Sequence, residues 1–276
     1  MTEFDKAYRE IIRRVMTDGY EERNERTGHA VRALPGMTIE VEGGFPLLTL
    51  RRIPVKLFIA EQVWFLTGSR RPDDELQKFT HIWDDFANPG GVVTAAYGFR
   101  WRHQFGRDQI ASLISLLERD PSSRHGVVIA WDPGSDGLGT GTARKNVPCP
   151  YTFTVNIIGG ALHMHNILRS NDLMLGCPHD VAGFALLQRM LAARLGVRPG
   201  KYTHSISNAH IYDLHWAQAR ELLERDHEHP EITLDLPAET LARAEASDYA
   251  LVGEIEARLS AQYHPMPNLK GLKLVV

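Results

Sequence analysis

The chain has 276 residues, 43% hydrophobic and 24% charged, the profile of a soluble globular protein with material for a substantial core. It holds no run of about 18 uncharged apolar residues, and Met1-Thr2-Glu3-Phe4-Asp5-Lys6 lacks the basic-then-apolar form of a secretory leader, so a cytoplasmic setting without a membrane is expected. A net charge of -3, from 31 Lys+Arg against 34 Asp+Glu, offers no basic field for DNA, and two cysteines without C-x-x-C spacing give neither a disulfide framework nor a zinc site.

Residues 5–19 carry the spacing of an amphipathic helix, Ile53 to Leu66 reads as a second, mostly apolar one, and Ile110 to Leu117 continues the helical pattern. Gly126–Trp131, Tyr151–Ile158 and Ala161–Leu168 read as strands, and a long apolar helix is predicted over Val181–Leu195. Helices mixed irregularly with strands argue for an α+β fold with a mainly antiparallel or mixed sheet and packed helices. No repeat or linker divides the chain, so residues 1–276 are expected to form a single domain. Gly137-Leu138-Gly139-Thr140-Gly141 has the wrong spacing for a dinucleotide loop and no helix after it, which leaves a flexible surface loop. His163 and His165 share one face of a strand without a third ligand, so no metal is expected there.

Gly159-Gly160 suits the positive backbone angles of a two-residue hairpin turn. Pairing outward from that turn sets Cys149 opposite Ser170, with Arg169 and Asp172 nearby, unless a bulge intervenes. A guanidinium beside a thiol raises the thiolate fraction, as a nucleophile requires. The residues alone leave two readings of Cys149: a nucleophile, or a small buried hydrophobe. Cys177, in Leu175-Gly176-Cys177-Pro178, reads as structural.

Pro148-Cys149, Arg169-Ser170-Asn171-Asp172, Leu175-Gly176 and His210-Ile211-Tyr212 resemble the core of the folate-dependent thymidylate synthase family. The resemblance continues through Arg26-Thr27-Gly28, Phe45-Pro46-Leu47-Leu48-Thr49, Glu61-Gln62-Val63-Trp64-Phe65-Leu66, Ile82-Trp83-Asp84, Tyr97-Gly98-Phe99-Arg100-Trp101-Arg102, Ser123-Arg124 and the tail from His264-Pro265 to Val276. It implies a thymidylate synthase-like fold, a pyrimidine nucleoside monophosphate as substrate and 5,10-methylenetetrahydrofolate as co-substrate. Cys149 would add to carbon 6 of the ring, with Glu61, Tyr97 and Asp172 as further catalytic residues. A glutamate among apolar helix neighbours should have a raised pKa, useful for acid–base work. Arg26, Arg124, Arg169 and Ser170 would hold the phosphate, and His210 with Tyr212 the sugar hydroxyl. Ile82, Trp83, Phe86, Asp172, Gly176 and Val276 would line the folate. The family pattern, with Arg124 reaching into a neighbouring subunit's site, implies a homodimer.

Several positions depart from that pattern. Asp180 stands where ordinary thymidylate synthases carry asparagine, Pro150 where a histidine follows the nucleophile, His125 where a second arginine is usual, Phe86 in place of a second tryptophan, and Ser207-Asn208 in place of Gly-Asp. An asparagine amide complements uracil's donor and acceptor, whereas a carboxyl accepts from cytosine's amino group and, with one proton, completes the second bond. Asp180 also precedes the predicted Val181–Leu195 helix and would serve as its N-cap, but asparagine caps equally well. Asp180 and Arg169-Ser170-Asn171-Asp172 resemble bacteriophage deoxycytidylate hydroxymethylases, so 5-hydroxymethylation of CMP or dCMP is expected, with dUMP methylation and a silent nucleotide- or RNA-binding relative as the alternatives.

Overall fold

In a computed structural model, which describes residues 1–25, 27–72, 74–137 and 147–275, the first helical pattern becomes α1, Glu3–Asp18. Phe4, Tyr8, Ile11, Ile12 and Val15 form its buried stripe. Its start is a reciprocal cap: Asp5 N donates to Thr2 Oγ1 (3.1 Å) and Thr2 N donates to Asp5 Oδ2 (3.0 Å). Asp5 also accepts from Thr49 N and Thr49 Oγ1, at 2.8 and 2.6 Å, which ties the helix to the segment before the second helix.

The strands β1 (Tyr20–Asn24) and β2 (His29–Val41) follow, then α2 (Val55–Thr67), the short α3 (Asp74–Gln77) and α4 (Tyr97–Phe99), α5 (Gln109–Arg119), and β3 (Val127–Ile129). β4 (Pro150–Ile158) and β5 (Ala161–Leu168) form the expected hairpin, with Gly159 and Gly160 at φ +59° and +70°. Two-residue β6 (Asn171–Asp172) leads into α6 (Gly176–Arg194); β7 (Arg198–Tyr212), α7 (Trp216–Leu223), α8 (Thr240–Glu245) and α9 (Ala250–Ser260) complete the series. The sheet runs β1-β2-β7-β5-β4-β3, with β6 also beside β7; β5 and β6 lie parallel to β7 and the other pairs are antiparallel, as an α+β architecture requires. No helix among the described residues is long and apolar enough to cross a membrane.

Two local expectations change. Pairing is regular from Ile158–Ala161 to Thr152–Ile167, then slips at Tyr151, so Pro150 meets Leu168 and Arg169 N donates to Cys149 O at 3.0 Å. Cys149 therefore stands opposite Arg169 and not Ser170. The long apolar helix begins at Gly176, five residues earlier than predicted, which places Asp180 inside α6 and removes the N-cap reading. The expected surface loop Gly137–Gly141 lies, apart from Gly137, in residues 138–146 outside the described residues, and so do Arg26 and Val276.

The sheet's inward residues pack on α1 and α6, and α6 packs in turn on α2, both α2 and α6 being mostly buried. Its other face is half covered: Thr38, Thr152, Thr154, His163, His165 and Thr203 alternate with the core residues, and Val127, Ile129 and Ile158 are 47%, 44% and 65% exposed. His165 Nε2 meets Ser205 Oγ at 2.8 Å and His163 Nδ1 accepts from Lys201 N at 3.0 Å, so both histidines have local hydrogen-bond roles. At the β3 edge the Gln109 side chain acts as a strand substitute, accepting from Ile129 N (2.8 Å) and donating to Ile129 O (2.9 Å).

α4 rides directly on the backbone of α2. A Cβ at Gly98 would lie 1.9 Å from Phe65 O and 2.6 Å from Phe65 C, so only glycine permits the approach that seats Tyr97 beside α2. Gly98→Ala is expected to cost at least about 2 kcal/mol in urea denaturation, because the obstacle is backbone and cannot rotate aside; a midpoint equal to that of the unaltered protein would refute this packing.

Candidate active site

Four pieces of chain meet around Cys149. The hairpin end supplies the thiol and Arg169; α2 and the segment after α3 supply Glu61 and Trp83; the β6–α6 junction supplies Asp172 and Asp180. Arg169 Nη2 approaches Cys149 Sγ at 3.5 Å, while Nε and Nη2 donate to Pro148 O and Val147 O, each at 2.9 Å. The cation is thereby held on the strand that carries the thiol. Cys149 N donates to Tyr97 Oη at 3.1 Å, and the Tyr97 ring meets Phe65 edge-on at 5.2 Å. Burial raises the Tyr97 phenol well above its ordinary range, so it is a neutral hydroxyl at physiological pH.

Glu61 is the acidic residue of α2, flanked by Phe58, Ile59, Ala60, Val63 and Trp64, all at most 1% exposed. Burying Phe58, Ile59 and Val63 stabilises the fold by about 2 kcal/mol each, which offsets the cost of enclosing one carboxyl. Trp83 Nε1 donates to Glu61 Oε1 at 2.7 Å. Desolvation pushes the Glu61 pKa up to about 8, against the weaker lowering effect of that hydrogen bond. Trp83 packs in turn on Phe65 at 5.7 Å and Phe86 at 5.7 Å, with Ile82 half-buried next to it, so the three rings form one aromatic wall beside Glu61.

Asp172 Oδ1 accepts from Met174 N (2.9 Å) and Leu175 N (3.4 Å), closing the turn that starts α6. Tyr8 Oη donates to Leu173 O at 2.6 Å and Arg51 donates to Met174 O, so α1 and the segment before α2 grip the same turn. Burial lifts Asp172 to about 6 and Asp180 to about 7. Asp180 Oδ2 accepts from Asn171 Nδ2 at 2.7 Å. Gly176 leaves this spot open: a Cβ there would come within 3.1 Å of Asn171 Nδ2 and 3.7 Å of Asp180 Oδ2.

On the other side, the parallel β6–β7 pairing sets Asp172 beside His210. His210 Nδ1 lies 3.5 Å from Ser170 Oγ and donates to Asn208 Oδ1 at 3.1 Å, and the His210 and Tyr212 rings stand perpendicular at 5.0 Å. The structure thus brings together Cys149, Glu61, Tyr97, Asp172, Arg169, Ser170, Asp180, His210, Tyr212, Ile82, Trp83, Phe86 and Gly176. It does not bring in Arg124 and His125, which are exposed in the turn before β3; His125 lines a separate groove with Arg107, Arg119 and Val127. Asn171 had no predicted role, and its only signal in the sequence was its place between two motif residues. Among the described residues no group of three or more His, Cys, Asp or Glu side chains is arranged to hold a metal ion.

The buried acids have a stability signature. The folded state holds the Glu61 proton up to about pH 8, whereas the unfolded chain releases it near 4.5, so the unaltered protein loses stability as pH rises through that window. Glu61→Gln should therefore gain melting temperature relative to the unaltered protein progressively from about pH 5 to about pH 8. An offset that is constant with pH in thermal melts would contradict a protonated Glu61.

These positions coincide with a family match. The protein-family model described as thymidylate synthase matches residues 6–266, nearly the whole chain, and by that match the chain belongs to the thymidylate synthase family, folate-dependent one-carbon transferases that act on pyrimidine nucleotides.

Proposed function

We propose that the protein 5-hydroxymethylates a cytidine nucleoside monophosphate, CMP or dCMP, using methylenetetrahydrofolate and water. The observation that carries this reading is Asp180. It is no solvent-facing cap but an enclosed helix residue whose acid form persists to about pH 7 and whose Oδ2 is already engaged by Asn171. A neutral carboxyl offers one donor and one acceptor, which complements cytosine's ring nitrogen and amino group. With uracil, that same arrangement leaves buried polar groups unpaired, a source of strong discrimination.

Each side chain has a role in this scheme. The Arg169 guanidinium, 3.5 Å from Sγ, favours the Cys149 thiolate. The thiolate adds to carbon 6, and the electron pair displaced to carbon 5 makes that carbon nucleophilic. Methylenetetrahydrofolate, when bound, supplies the one-carbon unit, and the aromatic wall of Trp83 and Phe86 beside Glu61 offers a flat apolar surface for its ring. Glu61, with its pKa near 8, exchanges protons around the base, and Tyr97 as a neutral phenol serves proton transfer at carbon 5. Loss of the carbon 5 proton would break the bond to the folate nitrogen, releasing tetrahydrofolate unoxidised and leaving an exocyclic methylene, and water would add to that carbon as the Cys149 sulfur is expelled from carbon 6. Arg169 and Ser170 hold the phosphate together with Arg26, and His210 with Tyr212 the sugar.

Arg124 is exposed in the turn before β3, and the half-covered sheet face with Val127, Ile129 and Ile158 supports a two-fold homodimer in which Arg124 serves the neighbouring site. Mixing Cys149→Ala with Arg124→Ala protein should then restore activity that neither has alone, since each hybrid has one intact site. No recovery after verified subunit exchange would defeat the shared site.

The reaction is tested with CMP, dCMP and dUMP in turn, reading product mass and dihydrofolate absorbance. A 5-hydroxymethylcytidylate product without dihydrofolate is expected, and Asp180→Asn should move kcat/KM toward the uracil nucleotide by about 100-fold, the scale of an unpaired buried polar contact. Dihydrofolate formed with dUMP by the unaltered enzyme would establish the methylating alternative.

A further inference from the structure

The core face of the sheet beneath Asp180 is polar where a hydrophobic face would be expected. β5 and β7 set Asn166 beside His204, and Asn166, Tyr202 and His204 are 0%, 1% and 0% exposed. Asn166 Nδ2 donates to Tyr202 Oη at 3.5 Å, Tyr202 Oη lies 3.0 Å from His204 Nδ1, His204 Nε2 lies 3.1 Å from Asn171 Oδ1, and Asn171 Nδ2 donates to Asp180 Oδ2 at 2.7 Å. Each link has a direction. With an amide proton arriving at Tyr202 Oη, the tyrosine's own proton goes to Nδ1. A neutral imidazole whose Nδ1 accepts carries its proton on Nε2, and that proton can only be donated to the Asn171 amide oxygen. Burial keeps His204 neutral, with its pKa down to about 3. The chain therefore ends as an N–H aimed at one particular oxygen of Asp180.

A carboxylic acid alone is an ambiguous reader of pyrimidines. With its proton on one oxygen it complements cytosine; with the proton on the other it complements uracil. Selectivity requires that the two oxygens be made different. A fixed N–H against Oδ2 keeps that oxygen an acceptor and sends any proton to Oδ1. If the Asn171 amide flipped, its oxygen would face Oδ2 and favour a proton there, reversing the pattern.

We propose that Asn171, locked by His204 and Tyr202, is a specificity-determining positioning residue that holds Asp180 Oδ2 as an acceptor and reserves Oδ1 for the proton. This rests on the reading above that Asp180 faces the base. Under it, Oδ1–H meets the ring nitrogen and Oδ2 receives the amino group.

The test compares kcat/KM for dCMP and dUMP in the unaltered enzyme, Tyr202→Phe, His204→Leu and His204→Gln, with thermal melting as the check of folding. Tyr202→Phe keeps the ring and removes only the hydroxyl, so it remains decisive where His204→Leu fails to fold. The ratio between the two bases is expected to fall about 10-fold in Tyr202→Phe and further in His204→Leu, as expected for a mispaired buried amide. His204→Gln, which returns an N–H to Asn171 Oδ1, should recover most of it. An unchanged ratio in folded variants, or a loss equal on both bases, overturns the relay. A preference of the unaltered enzyme for dUMP overturns the cytosine reading alone, because the relay is judged by the change in ratio whichever base is favoured.

Discussion

Antiparallel pairing between β4 and β5 holds from the Gly159-Gly160 turn to Thr152 and then slips by a single residue at Tyr151. That extra residue decides what stands beside the thiol. With a regular register Cys149 would have met a serine; with the bulge, its carbonyl receives Arg169 N and its sulfur receives Arg169 Nη2. Bulges re-aim side chains at the ends of ladders, and here the redirected pair joins a thiol to a permanent cation. The other parts of the site are arranged around that pair: Tyr97 accepts from Cys149 N, and the residues that follow Arg169, Ser170 to Asp172, continue toward His210 and Asp180.

The second constraint is desolvation. Glu61, Asp172 and Asp180 all lie where an ionised carboxylate is poorly solvated, and all three hold their protons at higher pH than a free acid, to about 8, 6 and 7. The fold tolerates this because α2 and α6 are otherwise apolar and bury large areas. Fixed donors oppose the burial at each of the three. Asp172 is lowered by two backbone amides, Asp180 by one side-chain amide, and Glu61 by one indole, yet desolvation is the largest effect at each.

Much of this was legible in the sequence wherever a residue's role follows from its neighbours in the chain. The apolar period of α1, the near-continuous apolar run of α2 and the paired glycines of the hairpin each point to their own structure. The start of α6 did not, since Leu175-Gly176-Cys177-Pro178 has the composition of a turn; proline is nevertheless acceptable in a first helical turn, where its missing N–H has no partner to lose. β7 was missed because its core face carries Tyr202 and His204, which break the hydrophobic alternation a strand is recognised by. The same substitution hides the relay, for Asn166, Asn171, Asp180 and His204 come together only through the parallel β5–β7 and β6–β7 pairings.

The two edges of the sheet end in different ways. β1 is short and carries Glu21, Glu22 and Arg23, while β3 has three residues, and the Gln109 amide occupies both the N–H and the C=O of Ile129. Neither edge leaves a long row of open backbone groups on which a stray strand could grow. Lateral addition of a strand is thus disfavoured at both ends of the sheet. The partner proposed above would meet the exposed Val127 and Ile129 face to face, and a two-fold contact between faces closes on itself where an edge would continue without limit.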